Sequence, residues 1–238
     1  MIVRMRCISG GVTLLLVAAA SHAFQVPPQN ADDRSTIQNF KEGDARRELV
    51  QNPTGLLEHL KISRGDWVAD VGAGNGYYSM RMAQLTGPDG KVLAEDIDDI
   101  AIGSLNLRVR LFNLANVVVV KGEPEDPNLP QSRLAAVLVL DTYHHFKSYQ
   151  AMLDKLLRAL KPGGRLVIAD FSLTEHRSLP RADQLKQHEI APALVRAEAV
   201  EAGFQVSSIE DPFVKWRPES WRPNSADMWV IVLTRPNP

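Results

Sequence analysis

Three glycines at alternating positions, Gly72, Gly74 and Gly76, follow an acid, Asp70, and precede Tyr77. Lacking a Cβ, such positions let main chain approach a ligand closely or adopt positive φ. The spacing argues against a dinucleotide. That pattern, G-x-G-x-x-G, seats a pyrophosphate on a helix N-terminus, and counted from Gly72 it requires glycine at 77, where this chain has tyrosine. A carboxylate directly before the glycines also repels phosphate. It favours a ligand with a cationic amine, whose own carboxylate can meet the N–H groups opening the next helix. Roughly 20 residues further on, where nucleotide sites place a ribose-binding acid, stands Glu95-Asp96-Ile97-Asp98. Asp96 is placed to accept ribose hydroxyls, and Ile97 to pack on a base.

A nucleoside that also carries an ammonium, a sulfonium and a carboxylate meets all these demands, and S-adenosylmethionine is such a molecule. Displacement at its methyl group needs mainly position, which contributes on the order of 7–11 kcal/mol. A base is needed only where the acceptor must lose a proton. Candidates follow the fourth strand at Tyr143-His144-His145, since imidazole titrates near neutrality. Adjacent loop residues rarely both face inward, so one of the two histidines is expected to be structural. Tyr143 is expected to hold or screen the acceptor, and His188 to cap the pocket from the tail. His59 and His176 are expected at the surface. Cys7 is the sole cysteine, and no histidine pair has metal-ligand spacing with carboxylates, so no metal is expected.

Elements that could position these groups alternate along the chain. Short apolar runs at Trp67–Val71, Lys91–Glu95, Val117–Val120, Ala135–Leu140 and Arg165–Ala169 are separated by helical stretches. One of these carries Ile102, Leu105, Val109 and Phe112 on one stripe, and another Met152, Leu153, Leu156, Leu157 and Leu160. Strands that are continuously apolar are buried on both faces, and repeated βα units imply a doubly wound parallel sheet. The tail departs from this rhythm: Gln205–Ile209 and Met228–Thr234 lack an intervening helix and predict an antiparallel pair closing one edge. Trp216-Arg217-Pro218 and Trp221-Arg222-Pro223, between those strands, are expected to pack over the sheet edge.

Residues 1–23 read as a secretory signal peptide. Arg4 and Arg6 precede an apolar run, Val12–Ala20, too short for a comfortable membrane span, and Ser21-His22-Ala23 supplies the small residues of a cleavage site. Export is therefore expected, with an uncleaved membrane anchor as the alternative. Residues 24–44 are polar, carry Pro27-Pro28 and predict a flexible lead-in; residues 45–238 form the domain. Helix is expected over about 45–60. The net charge of −1 falls to −3 without the leader, and no basic stripe suggests nucleic acid.

The chain resembles the class I S-adenosylmethionine-dependent methyltransferases, over roughly Gly55 to Pro236. The resemblance lies in Val68–Gly76, Gly90–Asp98, Gly122–Pro130, Asp141–Phe146 and Leu160–Ile168. It implies an α/β, doubly wound sheet of seven mostly parallel strands with the last antiparallel, S-adenosyl-L-methionine as cofactor, and a small-molecule methyl acceptor. It implies too that Asp70, Gly72, Gly74 and Gly76 line the methionine end, that Asp96 holds the ribose, that Glu123 and Pro124 read the adenine edge, and that Asp141 borders methionine and acceptor. Glu123 stands where aspartate is frequent, so Glu125 or Asp126 could serve instead. An isoaspartyl-type carboxyl methyltransferase and a binding module without turnover are the competing readings.

Overall fold

The computed structural model describes residues 31–217 and 226–237. The leader expected over residues 1–23, and Pro218 and Trp221-Arg222-Pro223, lie outside the described residues. No helix among the described residues is long and apolar enough to cross a membrane.

The chain forms one seven-stranded sheet. Its strands are β1 Trp67–Val71, β2 Lys91–Asp96, β3 Val117–Lys121, β4 Leu134–Leu140, β5 Leu160–Ser172, β6 Gln205–Val214 and β7 Asp227–Thr234. Their order across the sheet is β3-β2-β1-β4-β5-β7-β6. All neighbours up to β5 are parallel, whereas β7 runs antiparallel to both β5 and β6. This is the Rossmann-like architecture expected from the sequence, closed at one edge by the tail. β5 is longer than its apolar run. Its start pairs Leu160 with Leu134 across a register shift, and its end pairs with β7 as far as Ser172 opposite Asp227.

Successive strand residues point to opposite faces, and two cores result. On one side Val68 and Leu138 pack with Leu56 and Leu60 of α2 (Pro53–Leu60), Met82 of α3 (Tyr77–Thr86) and Leu105 of α4 (Asp99–Leu111). On the other, Ala69 and Val137 pack with Leu153 and Leu156 of α5 (Tyr149–Ala159) and Val195 of α7 (Pro192–Glu201). A short helix, α6 (Arg181–Lys186), precedes α7.

At the N-terminal end the structure corrects the expectation. A helix of 20 residues, Ala31–Val50, occupies much of the stretch whose composition predicts no structure. This helix is α1. It lacks an apolar stripe because long-range charge pairing carries it. Arg110 meets Asp33 at 2.8 Å, and the buried Arg108 meets Asp44 at 2.8 Å and 3.0 Å. Phe40 stacks on the Arg108 guanidinium, 4.2 Å from ring centroid to Cζ. The helix expected over 45–60 is interrupted at Asn52, which turns left-handed (φ 46°) and caps α2.

Candidate functional site

β1, β2 and β4 end level with one another: Asp70 lies beside Ala94 on β2 and Leu138 on β4. The chain crosses over at β1, so a crevice opens at the carboxyl ends of the strands, where such sheets bind ligands. Two clefts occupy this edge. The larger, about 450 Å³, is lined by Asp96, Ile97, Glu123, Pro124, His145 and Met152 among others. The smaller, about 130 Å³, is lined by Asp70, Gly74, Asn75, Asp141 and Arg47. Gly72 and Thr142 line both and mark their junction. The residues read from sequence as contacts for base and ribose line the larger cleft, and Asp70, Gly72, Gly74 and Asp141, read as contacts for the amino-acid end, line the smaller.

The glycine loop is held by acids. Asp96 Oδ2 accepts the Gly74 N–H at 2.9 Å and Oδ1 accepts the Asp98 N–H at 3.0 Å. Glu95 Oε2 accepts the Gly72 N–H at 3.3 Å. Gly72 has φ 70°, and a Cβ there would collide with the Thr142 side chain. Gly76 serves packing rather than the groove: it opens α3 with φ 78°, and a Cβ would come within 2.8 Å of Leu105. Asp98 caps α4 by accepting the Ala101 N–H at 2.9 Å. The buried Asn75 Oδ1 has no hydrogen-bond partner among the described residues, which suits a ligand with N–H donors.

Burial pushes Asp70 up to about 6, although the Ser79 hydroxyl, donating at 2.6 Å, pulls it back. Burial also pushes Glu95 up to about 8, against the opposing Gly72 hydrogen bond. A cationic ligand would relieve both, and a phosphate would not. The folded chain thus holds the Glu95 proton more tightly than an unfolded chain, whose carboxyl titrates near 4.5. Between those values stability falls as pH rises, and the full penalty applies above about 8. Glu95→Gln is therefore expected to raise the ligand-free melting temperature by several degrees at about pH 9, a gain of roughly 2–4 kcal/mol. At about pH 5, where the native side chain is already protonated, it should change little. Equal shifts at both pH values in a thermal scan would refute the assignment.

After β4 the chain enters a tight turn, Tyr143–His145. Here one expectation needs correction. Tyr143 does not reach the groove: it is wholly buried, and its hydroxyl donates to Glu198 at 2.7 Å. Burial, with Glu198 adding to it, raises its pKa. The two histidines differ in setting: His144 is buried, whereas His145 is exposed. Their centroids lie 4.0 Å apart, and His188 stands 5.8 Å from His144 and 5.6 Å from His145. His144 is buried, with Nδ1 at 3.0 Å from both Asp170 oxygens. His145 lines the larger cleft, and burial, followed by the neighbouring His144, lowers its pKa. His59 and His176 lie elsewhere, against Glu210 and Glu189.

Sequence reasoning missed Arg47 and Asp170. Arg47 is the one basic residue among those lining the smaller cleft, and α1 delivers it. An acid inside the apolar run of β5 was the available signal for Asp170.

Residues 62–224 match a family model described as a methyltransferase domain. A 27-O-demethylrifamycin SV methyltransferase of Amycolatopsis mediterranei is 27% identical over 199 residues, covering 80% of this chain and 69% of that protein. A ubiquinone/menaquinone biosynthesis C-methyltransferase, UbiE, of Azotobacter vinelandii is 30% identical over 164 residues, and the match covers 63% of each chain. The chain thus spans just under two thirds of that second relative's length. A SAM-dependent methyltransferase from Aquifex aeolicus shares the fold, with TM-score 0.65 and 22% identity over 86% of this chain and 99% of that one.

Proposed function

The chain belongs to the methyltransferase-domain family, and from that premise we propose that it is an S-adenosylmethionine-dependent enzyme that methylates a small-molecule acceptor docked against His145. The observation that carries this reading is the divided groove: an acid-lined cleft joined at Gly72 and Thr142 to a second that holds Arg47. When bound, S-adenosylmethionine supplies a methyl group on a sulfonium, a leaving group that needs no activation.

The chain's own residues bind and orient. Asp96 is set to accept ribose hydroxyls through the lone pairs its two backbone partners leave open. Ile97, half exposed beside the cleft, offers an apolar face for the base. Asp70 and the unpartnered Asn75 Oδ1 suit an ammonium, and Arg47 suits a carboxylate. The acceptor comes from the side of the cleft that carries His145 and Met152. The rifamycin and ubiquinone/menaquinone methyltransferases above are named for small molecules, which supports the same acceptor class.

The test is calorimetry of cofactor binding, followed by incubation with methyl-labelled cofactor and a panel of phenols, quinols and amines. Labelled product from one of these is expected, together with a loss of roughly tenfold or more in cofactor affinity in Arg47→Ala. Cofactor binding without any methylated acceptor would reduce the chain to a binding module. Absence of cofactor binding would end the reading altogether.

A further inference from the structure

His144 and His145 are adjacent in the chain, and His188 joins them from a different turn. One ring nitrogen from each lies within 4.8 Å of the other two. Three imidazoles seldom crowd together without a purpose, because each must satisfy a ring lone pair and a ring N–H. The surroundings of His144 narrow the purpose. Asp170 is wholly buried, accepts the Phe171 N–H at 2.8 Å and the His144 N–H at 3.2 Å, and stands 3.0 Å from His144 Nδ1. An ionised carboxylate only accepts, so Nδ1 carries the proton and the lone pair sits on Nε2. A carboxylate that fixes the tautomer and angle of an imidazole from behind is the usual outer partner of a metal-binding histidine.

We propose that His144, His145 and His188 bind a divalent cation of the zinc type, with Asp170 orienting His144 and a fourth coordination position open toward the cleft. His145 and His188 are exposed whereas His144 is buried, so the site is anchored at its base and accessible from the groove. Three protein ligands and one open position are what a reactive zinc site has, in contrast to a closed structural one. Bonds of about 2.0–2.1 Å to zinc require the nitrogens to draw closer, which rotation of the two exposed rings provides. His188 is held at φ 54°, a conformation uncommon for a residue with a Cβ. Asp141 adds negative charge: one of its oxygens lies within 4.8 Å of ligand atoms of His144 and Asp170. Imidazole donors suit zinc, copper or nickel over magnesium or calcium. The open position would receive an anionic heteroatom of the acceptor; that use rests on the proposed methyl transfer, whereas the metal site rests on geometry alone.

The experiment uses the full chain made without a polyhistidine tag, stripped with chelator, and titrated with Zn²⁺ against a chromophoric competitor. Co²⁺ serves as a spectroscopic reporter of coordination. Saturable binding of one ion per chain is expected. Affinity should drop at least tenfold in His145→Gln and in His188→Gln, both at exposed positions, and about tenfold to a hundredfold in Asp170→Asn. Binding that is not saturable, or unchanged affinity in the His145→Gln/His188→Gln double variant, overturns the inference. Cofactor titration runs in parallel. A chain that binds S-adenosylmethionine but not zinc refutes the metal site and spares the methyltransferase reading. A chain that binds zinc but not the cofactor does the reverse.

Discussion

Replacing Asp96 with alanine is expected to weaken S-adenosylmethionine binding about tenfold to a hundredfold while leaving the fold intact. The carboxylate holds the Gly74 and Asp98 N–H groups and keeps lone pairs for the ribose, so its removal deletes a charge-assisted partner and loosens the loop together. Such a partner contributes roughly 1.5–3 kcal/mol, which sets the range of affinity. Asp96→Asn keeps the size and one carbonyl oxygen and should fall between the native chain and the alanine variant. Titration calorimetry decides: native affinity in Asp96→Ala would move the ribose to another acid of the cleft, Asp98 or Glu123.

The second large effect is expected at Gly72. Alanine at φ 70° costs about 1–2 kcal/mol in left-handed backbone. Its methyl would also meet the Thr142 side chain, and overpacking of that kind costs typically 1–3 kcal/mol. Gly72→Ala should therefore lower stability by roughly 2–5 kcal/mol and, because Gly72 and Thr142 join the two clefts, reduce cofactor affinity by about a hundredfold or more. Adding Thr142→Gly should recover the part due to collision and leave the backbone part. A melting temperature and affinity equal to those of the native chain would show that the loop adopts another course.

The sheet was legible because its strands are short, apolar and separated by strong turn chemistry. β1 spans Trp67–Val71 as its apolar run predicts. The groove was legible for a related reason: in a doubly wound sheet the loop after β1 and the end of β2 must meet, so Gly72 and Asp96 could be paired from order alone. α1 was not legible, since its partners Arg108 and Arg110 lie 64 and 77 residues from Asp44 and Asp33 and leave no local periodicity. Arg47 was hidden with it. Tyr143 was misplaced because the tight turn after β4 directs it into the core beside Phe146. The histidine cluster escaped a reading based on spacing because His188 joins it only through the tertiary fold.

The position of β7 constrains how the molecule can be made. It is the last strand in sequence, yet it lies inside the sheet, between β5 and β6. Until it emerges from the ribosome, β5 presents an open edge and β6 has no sheet neighbour among the described residues. Unpaired edges of this kind invite contact with other chains. Synthesis therefore cannot lock the domain progressively from its beginning, and the nascent polypeptide stays unfinished and in need of protection until Asp227–Thr234 slots into place.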